Sequence, residues 1–281
     1  MRAAVVGHVE WIESVRVERV PMAGEIVHAA EAWEEPGGGG AVAAVQLSKL
    51  AGQATLYTAL GDDELGHRCK AELETLGLRV EATFAPTSQR RAVVHIDAAG
   101  ERTITVVGAR LGPRGEDELP WGELAETDAV YFTAGDPESA RRARAARTMV
   151  STPRGLEVIA AAAVELDALV ASGSDEGERY EPGQLDPPPR LVVRTAGAAG
   201  GTWERNGTSG KYDATPLPGP VEDAYGCGDS FAGGLTYALG DGRPLDEALE
   251  LAARCGAACL TGRGPYAGQL SEPPPRRPRA R

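Results

Sequence analysis

A chain of 281 residues, 42% hydrophobic and 25% charged, has the size and make-up of one large globular domain with a substantial core. Its formal net charge of -12 argues against nucleic acid and anionic membranes as partners, and 5% aromatics leave few rings for bases to stack on. Four dispersed cysteines without a C-x-x-C spacing and four histidines without spaced partners do not suggest a zinc site, and no apolar run reaches the roughly 20 residues needed to span a bilayer.

In chain order, Ala3–Gly7 reads as a short apolar strand that runs on without the basic flank and long apolar core of a secretory leader, so a reduced, cytoplasmic protein is expected. Residues 13–29 are strand-like, with Val15 and Val17 alternating and Val20 following. Residues 41–52 predict a helix with Val42, Val45 and Leu50 on one face, and 54–61 a second strand. Leu65, Cys69, Leu73 and Leu76 form a helical stripe. Residues 90–108 read as two alternating strands joined by an Ala-Gly turn, a β-hairpin. Further strands are expected at 129–133, 156–162, 167–172 and 191–195, and an exposed loop at 180–190. One helix starts near Ser230, with Phe231, Leu235 and Leu239 on one face. A second runs from about Leu245 to Leu260, where Cys255 and Cys259 sit one turn apart as small packing residues.

Strands alternating with helices imply a mostly parallel sheet covered by helices on both faces. The segments 13–29 and 90–108 break that alternation and are expected to form a small antiparallel sheet, suited to a lid or a dimer surface. Residues 1–270 then form one domain, and 271–281, rich in Pro and Arg, read as a disordered basic tail.

The chemistry gathers at glycines. In EDAYGCGDSF (222–231), Gly226, Cys227 and Gly228 precede a helix whose apolar stripe begins at Phe231. Free N–H groups and the positive end of the helix dipole collect at such a terminus, where small residues let a phosphate come close. Asp229 would stand beside that anion site as a base. On spacing alone, a capped helix with an Asp in its first turn is the better explanation of this stretch, because G-x-G-D is short. The run PGGGGAVAAV (36–45) also leads into a helix, and RTAGAAGG (194–201) follows a strand, where ligands of open α/β sheets lie. SDEGE (174–178) offers Asp175, Glu176 and Glu178 either as holders of Mg²⁺ or as a solvated helix start. NGTSGKYD (206–213) fails as a phosphate loop of the Walker type, because Tyr212 stands where Ser or Thr would bind Mg²⁺.

Together these stretches resemble the ribokinase-like, or PfkB, family of carbohydrate and nucleoside kinases, in order over about residues 3–268. DAYGCGDSFAGGL (223–235) is similar to the family's D-T-x-G-A-G-D-x-F-x-x-G signature, GGGGAVAAVQLSKLAG to its first glycine signature, LGDDELGHRCKAELETLGL (60–78) to its G-x-D-x-x-G stretch, and GERTITV (100–106) to the second half of its lid hairpin. The resemblance implies a ribokinase-like three-layer α/β/α fold with a mostly parallel central sheet and a small β-sheet lid. It implies ATP and Mg²⁺ as cofactors and leaves monovalent-cation dependence open. Asp229 would be the catalytic base and Gly226, Cys227 and Gly228 the anion hole. Thr195, Gly197 and Gly200, with Gly256 and Ala257, would hold the nucleotide, and Asp175 and Glu178 the metal. Glu10, Ile12, Gly38, Gly39 and Val42 would meet a small-molecule substrate, with Val42 where the family usually carries Asn and Ile12 where it carries Asp. Exposed lid edges would pair two copies into a homodimer. These departures at the substrate end leave a catalytically silent ligand-binding protein on the same fold as the rival expectation.

Overall fold

The computed structural model describes residues 1–271, so the expected tail lies outside the described residues save for Ser271. Among the described residues, thirteen strands and seven α-helices follow one another. The first part contains β1 (Ala3–Val6), β2 (Glu10–Arg16), β3 (Glu31–Gly37), α1 (Gly39–Ala51), β4 (Ala54–Gly61), α2 (Glu64–Thr75), β5 (Leu78–Ala85), β6 (Arg91–Ile96) and β7 (Arg102–Val107). The middle contains β8 (Ala129–Phe132), α3 (Pro137–Ala143), β9 (Thr148–Ser151), α4 (Leu156–Ala162), β10 (Ala168–Ser172) and β11 (Leu191–Thr195). The last part contains β12 (Gly201–Arg205), β13 (Thr208–Tyr212), α5 (Cys227–Gly240), α6 (Leu245–Cys259) and α7 (Gly264–Ala267).

A nine-stranded sheet runs β13-β12-β11-β10-β9-β8-β1-β4-β5. All neighbours from β11 to β5 pair in parallel, and β12 and β13 extend the edge as an antiparallel hairpin. Alternation along β1 shows how the sheet is covered. Ala3 and Val5 pack in a cluster with α1, α2, α5 and α6, whereas Ala4 and Val6 pack in a second cluster with α3 and α4. Each strand residue therefore belongs to one face, as a pleat of period two requires, and the three layers follow.

The second sheet has the order β3-β2-β6-β7. β2 pairs antiparallel with β3 and parallel with β6, and β6 pairs antiparallel with β7. The hairpin stands where 90–108 predicts it. The earlier lid segment does not coincide with 13–29: its strands are residues 10–16 and 31–37, and most of 17–30 connects them. The alternating valines continue past the point where pairing stops, and Val17 is buried outside a strand.

One expected strand is a helix. Residues 156–162 form α4, in which only Ile159 and Ala162 are buried, three residues apart. That spacing places both on one helix face, and three consecutive alanines favour helix. The strand of this region is β9, a short run that the sequence reading passed over, together with β5, α3 and the β12–β13 hairpin. Asn206 and Gly207 turn that hairpin with φ of 51° and 75°, the left-handed geometry a two-residue turn needs.

Candidate active site

The carboxyl ends of β1, β8, β9, β10 and β11 share one edge of the large sheet, and the small sheet continues from β1 through β2. Ligands of open α/β sheets bind outside such ends. Two helix starts meet there. Gly226 caps α5 with φ of 81°, so Cys227, Gly228 and Asp229 form its first turn. A Cβ on Gly226 would lie 2.9 Å from Cγ1 of Val42, and α1 therefore seals one side of the turn. Gly228 is exposed, with no atom within 4 Å of where its Cβ would be. The N–H groups of this turn have no carbonyl one helical turn back.

Gly38 caps α1 with φ of 85°, and the Tyr225 hydroxyl accepts its N–H at 3.0 Å. A Cβ on Gly39 would lie 2.7 Å from Oδ1 of Asp229 and 3.5 Å from Cε1 of His8. The glycine turn, His8 and the Asp229 carboxyl thus converge. Asp223 is fully buried and accepts the N–H groups of Tyr225 (2.8 Å) and Gly264 (3.1 Å), which fixes the loop entering α5. Arg102 of β7 donates to the carbonyl of Ala224 at 2.9 Å, and the N–H of Ala224 donates to the carbonyl of Gly100 at 3.2 Å. The lid hairpin rests on this loop.

The electrostatics set Asp229 apart. Desolvation, then the Glu178 carboxylate, push its pKa up to about 7 against the opposing pull of Arg102, Arg154 and Arg110. The Cys227 thiol is pushed up as well, mainly by desolvation, and stays protonated near neutral pH.

Sequence reasoning passed over a cationic cluster beside this point. His8 is buried, its pKa held well below 6.5 by desolvation and by Arg110, Arg90 and Arg154. It is therefore a neutral imidazole. With Nδ1 facing Nη2 of Arg110 at 3.0 Å, it accepts there and carries its proton on Nε2, 3.6 Å from Oε1 of Glu10. Glu10 is buried and accepts from Nε of Arg90 at 2.6 Å. Ile12 and Val42 are fully buried and present no surface to the cleft; Ile12 supports the backbone at Gly37.

Asp175 and Glu178 lie around Arg154, each at 2.6 Å from its guanidinium. Asp175 also caps the short 3₁₀ turn 176–178 through the N–H of Gly177 at 2.8 Å. Among the described residues no group of three or more His, Cys, Asp or Glu could cage a metal ion. Mg²⁺ needs only one or two carboxylates when phosphates supply its other oxygens, and this pair fits that requirement. Thr195 ends β11, and Gly197 (φ 54°) and Gly200 (φ 78°) turn the chain into β12. A Cβ on Gly200 would lie 2.1 Å from the carbonyl of Tyr212, so only glycine closes that loop. On α6, a Cβ on Gly256 would lie 3.2 Å from the carbonyl of Cys227, and the neighbouring Ala257 is buried.

Residues 2–272 match the model of the family described as pfkB family carbohydrate kinase. The chain is 29% identical to the ATP-dependent ribose-1-phosphate kinase of Halopiger xanaduensis, over 92% of this chain and 91% of that protein. Among solved structures, it superposes on a protein of Agrobacterium tumefaciens, provisionally described as a ribokinase, with a TM-score of 0.82 at 22% identity, covering 96% of this chain and 94% of the other. The ribokinase of Cryptococcus neoformans in complex with ADP gives 0.73 at 24% identity, covering 94% and 95%.

Proposed function

Because the chain belongs to the pfkB family of carbohydrate kinases, we propose that it transfers the γ-phosphoryl group of ATP to a hydroxyl of a small sugar, sugar derivative or nucleoside, with Asp229 as base. One observation carries this reading: the Asp229 carboxyl, its pKa pushed up to about 7, stands in the first turn of α5 against the glycine turn of α1. A hydroxyl seated over Gly38 and Gly39 lies within reach of that carboxyl. Asp229 accepts its proton as the oxygen attacks phosphorus, and a pKa near the working pH suits the task. The N–H groups of residues 226–228 face the charge that develops on the transferring group, and as fixed donors they need no reorganisation. Only the backbone of Cys227 is required.

Thr195, Gly197 and Gly200 line the strand end proposed for the nucleotide, with Gly256 and Ala257 across from it. Asp175 and Glu178 would hold Mg²⁺, which neutralises charge on the phosphates when bound, once Arg154 releases one of them. The small sheet covers the acceptor and keeps water from competing. β7 is one of its two edge strands, all six residues exposed, with Ile104, Val106 and Val107 among them. We take this edge as the surface on which two copies pair. A silent binding role is not favoured, because base, anion site and glycine turn are all assembled. The test is ADP release with ribose, fructose, adenosine and ribose 1-phosphate as acceptors, with Asp229→Asn as control. An acceptor-dependent rate that Asp229→Asn lowers by about 10²–10⁴-fold is expected; a rate the substitution leaves unchanged removes Asp229 from the role.

A further inference from the structure

Each glutamate of β2 and β3 save one has a cation of its own. Glu10 pairs with Arg90, Glu13 with Arg91, Glu31 with Arg263 and Glu34 with Arg68. Glu35, by contrast, forms no ion pair among the described residues, and its partner is neutral: the indole N–H of Trp33 donates to Oε1 at 2.8 Å. The carboxyl lies against backbone. A Cβ on Gly264, the first residue of α7, would collide with Oε1, and the φ of 64° there also calls for glycine. Glu35 therefore seats β3, an edge strand of the lid, on the turn that follows α6.

The surroundings favour the neutral acid. Desolvation pushes the Glu35 pKa up to about 7, against the Trp33 N–H and Arg263, and the carboxylates of Asp223 and Glu72 add to the rise. Asp223, from the loop entering α5, accepts the N–H of Gly264 and is itself raised by desolvation. Arg263, from the turn after α6, is shared with Glu31, and Glu72, on α2, with Arg68. Lys49 of α1 donates to the carbonyl of Tyr266, and Tyr266 stays neutral, its pKa held well above its usual value by desolvation. What rests on this seat is the glycine turn. The Tyr266 hydroxyl donates to the carbonyl of Pro36 at 2.7 Å, Gly38 donates its N–H to Tyr225, and Gly39 meets Asp229. A shift of β3 at Glu35 therefore moves the turn on which the acceptor is proposed to lie.

We propose that Glu35 is a positioning residue that acts as a proton-controlled latch: when neutral it seats β3 on Gly264 and sets the glycine turn, and when ionised it weakens that seat and loosens the lid. Linkage fixes the sign. A carboxyl that holds its proton more tightly when seated than in water makes the seat weaker as pH rises; the loss begins above its ordinary value of 4.5 and is complete above about 7. Protonation at Glu35 thus favours the closed lid, whereas protonation at Asp229 removes the proposed base. The consequence for turnover rests on the kinase reading above; the latch itself does not.

Glu35→Gln, a neutral side chain of the same shape, tests this in the full chain. In NMR spectra, the indole N–H signal of Trp33, identified by its loss in Trp33→Phe, should titrate with a midpoint at about pH 7 in the wild type and stay still in Glu35→Gln. Amide exchange, corrected for its intrinsic pH dependence, should show residues 32–37 and 263–266 opening about tenfold more often at pH 8 than at pH 5.5, and Glu35→Gln should abolish that difference. With an acceptor that is turned over, Glu35→Gln should lower the acceptor KM about two- to fivefold at pH 8, leave it equal to the wild type at pH 5.5, and leave kcat unchanged at both. An indole signal unmoved between pH 5.5 and 8 overturns the latch, as does a variant that keeps the wild-type pH dependence of exchange. An acceptor KM in Glu35→Gln equal to or above that of the wild type at pH 8 overturns its role in positioning. If no acceptor is turned over, the kinase reading fails, and the indole titration and amide exchange still decide the latch. If Glu35→Gln does not fold, those two measurements on the wild type carry the test.

Discussion

Asp229 answers two demands that oppose each other. As the proposed base it must be ionised and poorly solvated, and poor solvation is what makes an ionised carboxyl unfavourable in the fold. Its pKa is raised from 3.8 to about 7 on folding, so the native state binds its proton more tightly than the unfolded chain does. By linkage, its ionisation costs stability above the unfolded value, and the cost is complete above the folded value. Asp229→Asn should therefore raise the melting temperature at pH 8 but not below about pH 4, as calorimetry across pH would show. In the wild type, kcat/KM should fall tenfold per pH unit below about 7, where the base becomes protonated; a profile flat down to pH 5 would separate Asp229 from the rate. Cys227→Ala should stay within about tenfold of wild type, equal to about 1.4 kcal/mol of barrier, because the proposed transfer needs only its backbone. Asp229 and the glycines around it were legible because a short contiguous motif carries them. His8 and Arg110 were not: they are 102 residues apart, and nothing local in either stretch signals that they meet.

At the scale of elements, the site depends on two helix starts being held a few ångströms apart. Gly39→Ala would set a methyl group 2.7 Å from Oδ1 of Asp229, and the carboxyl must give way. A displacement of that size is expected to cost about 100-fold in kcat with little change in melting temperature. Tyr225→Phe removes the acceptor of the Gly38 N–H and leaves a buried donor unpaired, at a cost of about 1–3 kcal/mol by urea unfolding. The long helices α1, α2, α5 and α6 could be read from apolar residues at helical spacing, although α1 and α5 are buried nearly all round. α4 could not: two buried residues in seven leave little period, and its β-branched residues resemble a strand. Short buried strands such as β9, four residues long, carry even less signal.

For the whole molecule, the division into a wound sheet and a lid follows from where alternation breaks, and that break was visible in the 90–108 hairpin. The connection β2–β3 was less so, because its long loop separates the paired strands. The fully exposed edge of β7 is expected to hold two copies together, so sedimentation should give twice the mass of one chain and Val106→Lys should give a single one. Lid, glycine turn and α5 terminus serve one claim, that phosphoryl transfer to a small acceptor runs through Asp229. Phosphorus NMR of ATP with ribose 1-phosphate tests that claim most directly. The wild type is expected to form ADP and a sugar bisphosphate in equal amounts, and Asp229→Asn to form them about 10²–10⁴-fold more slowly while still binding both ligands. Bisphosphate formation at the wild-type rate by Asp229→Asn would contradict it.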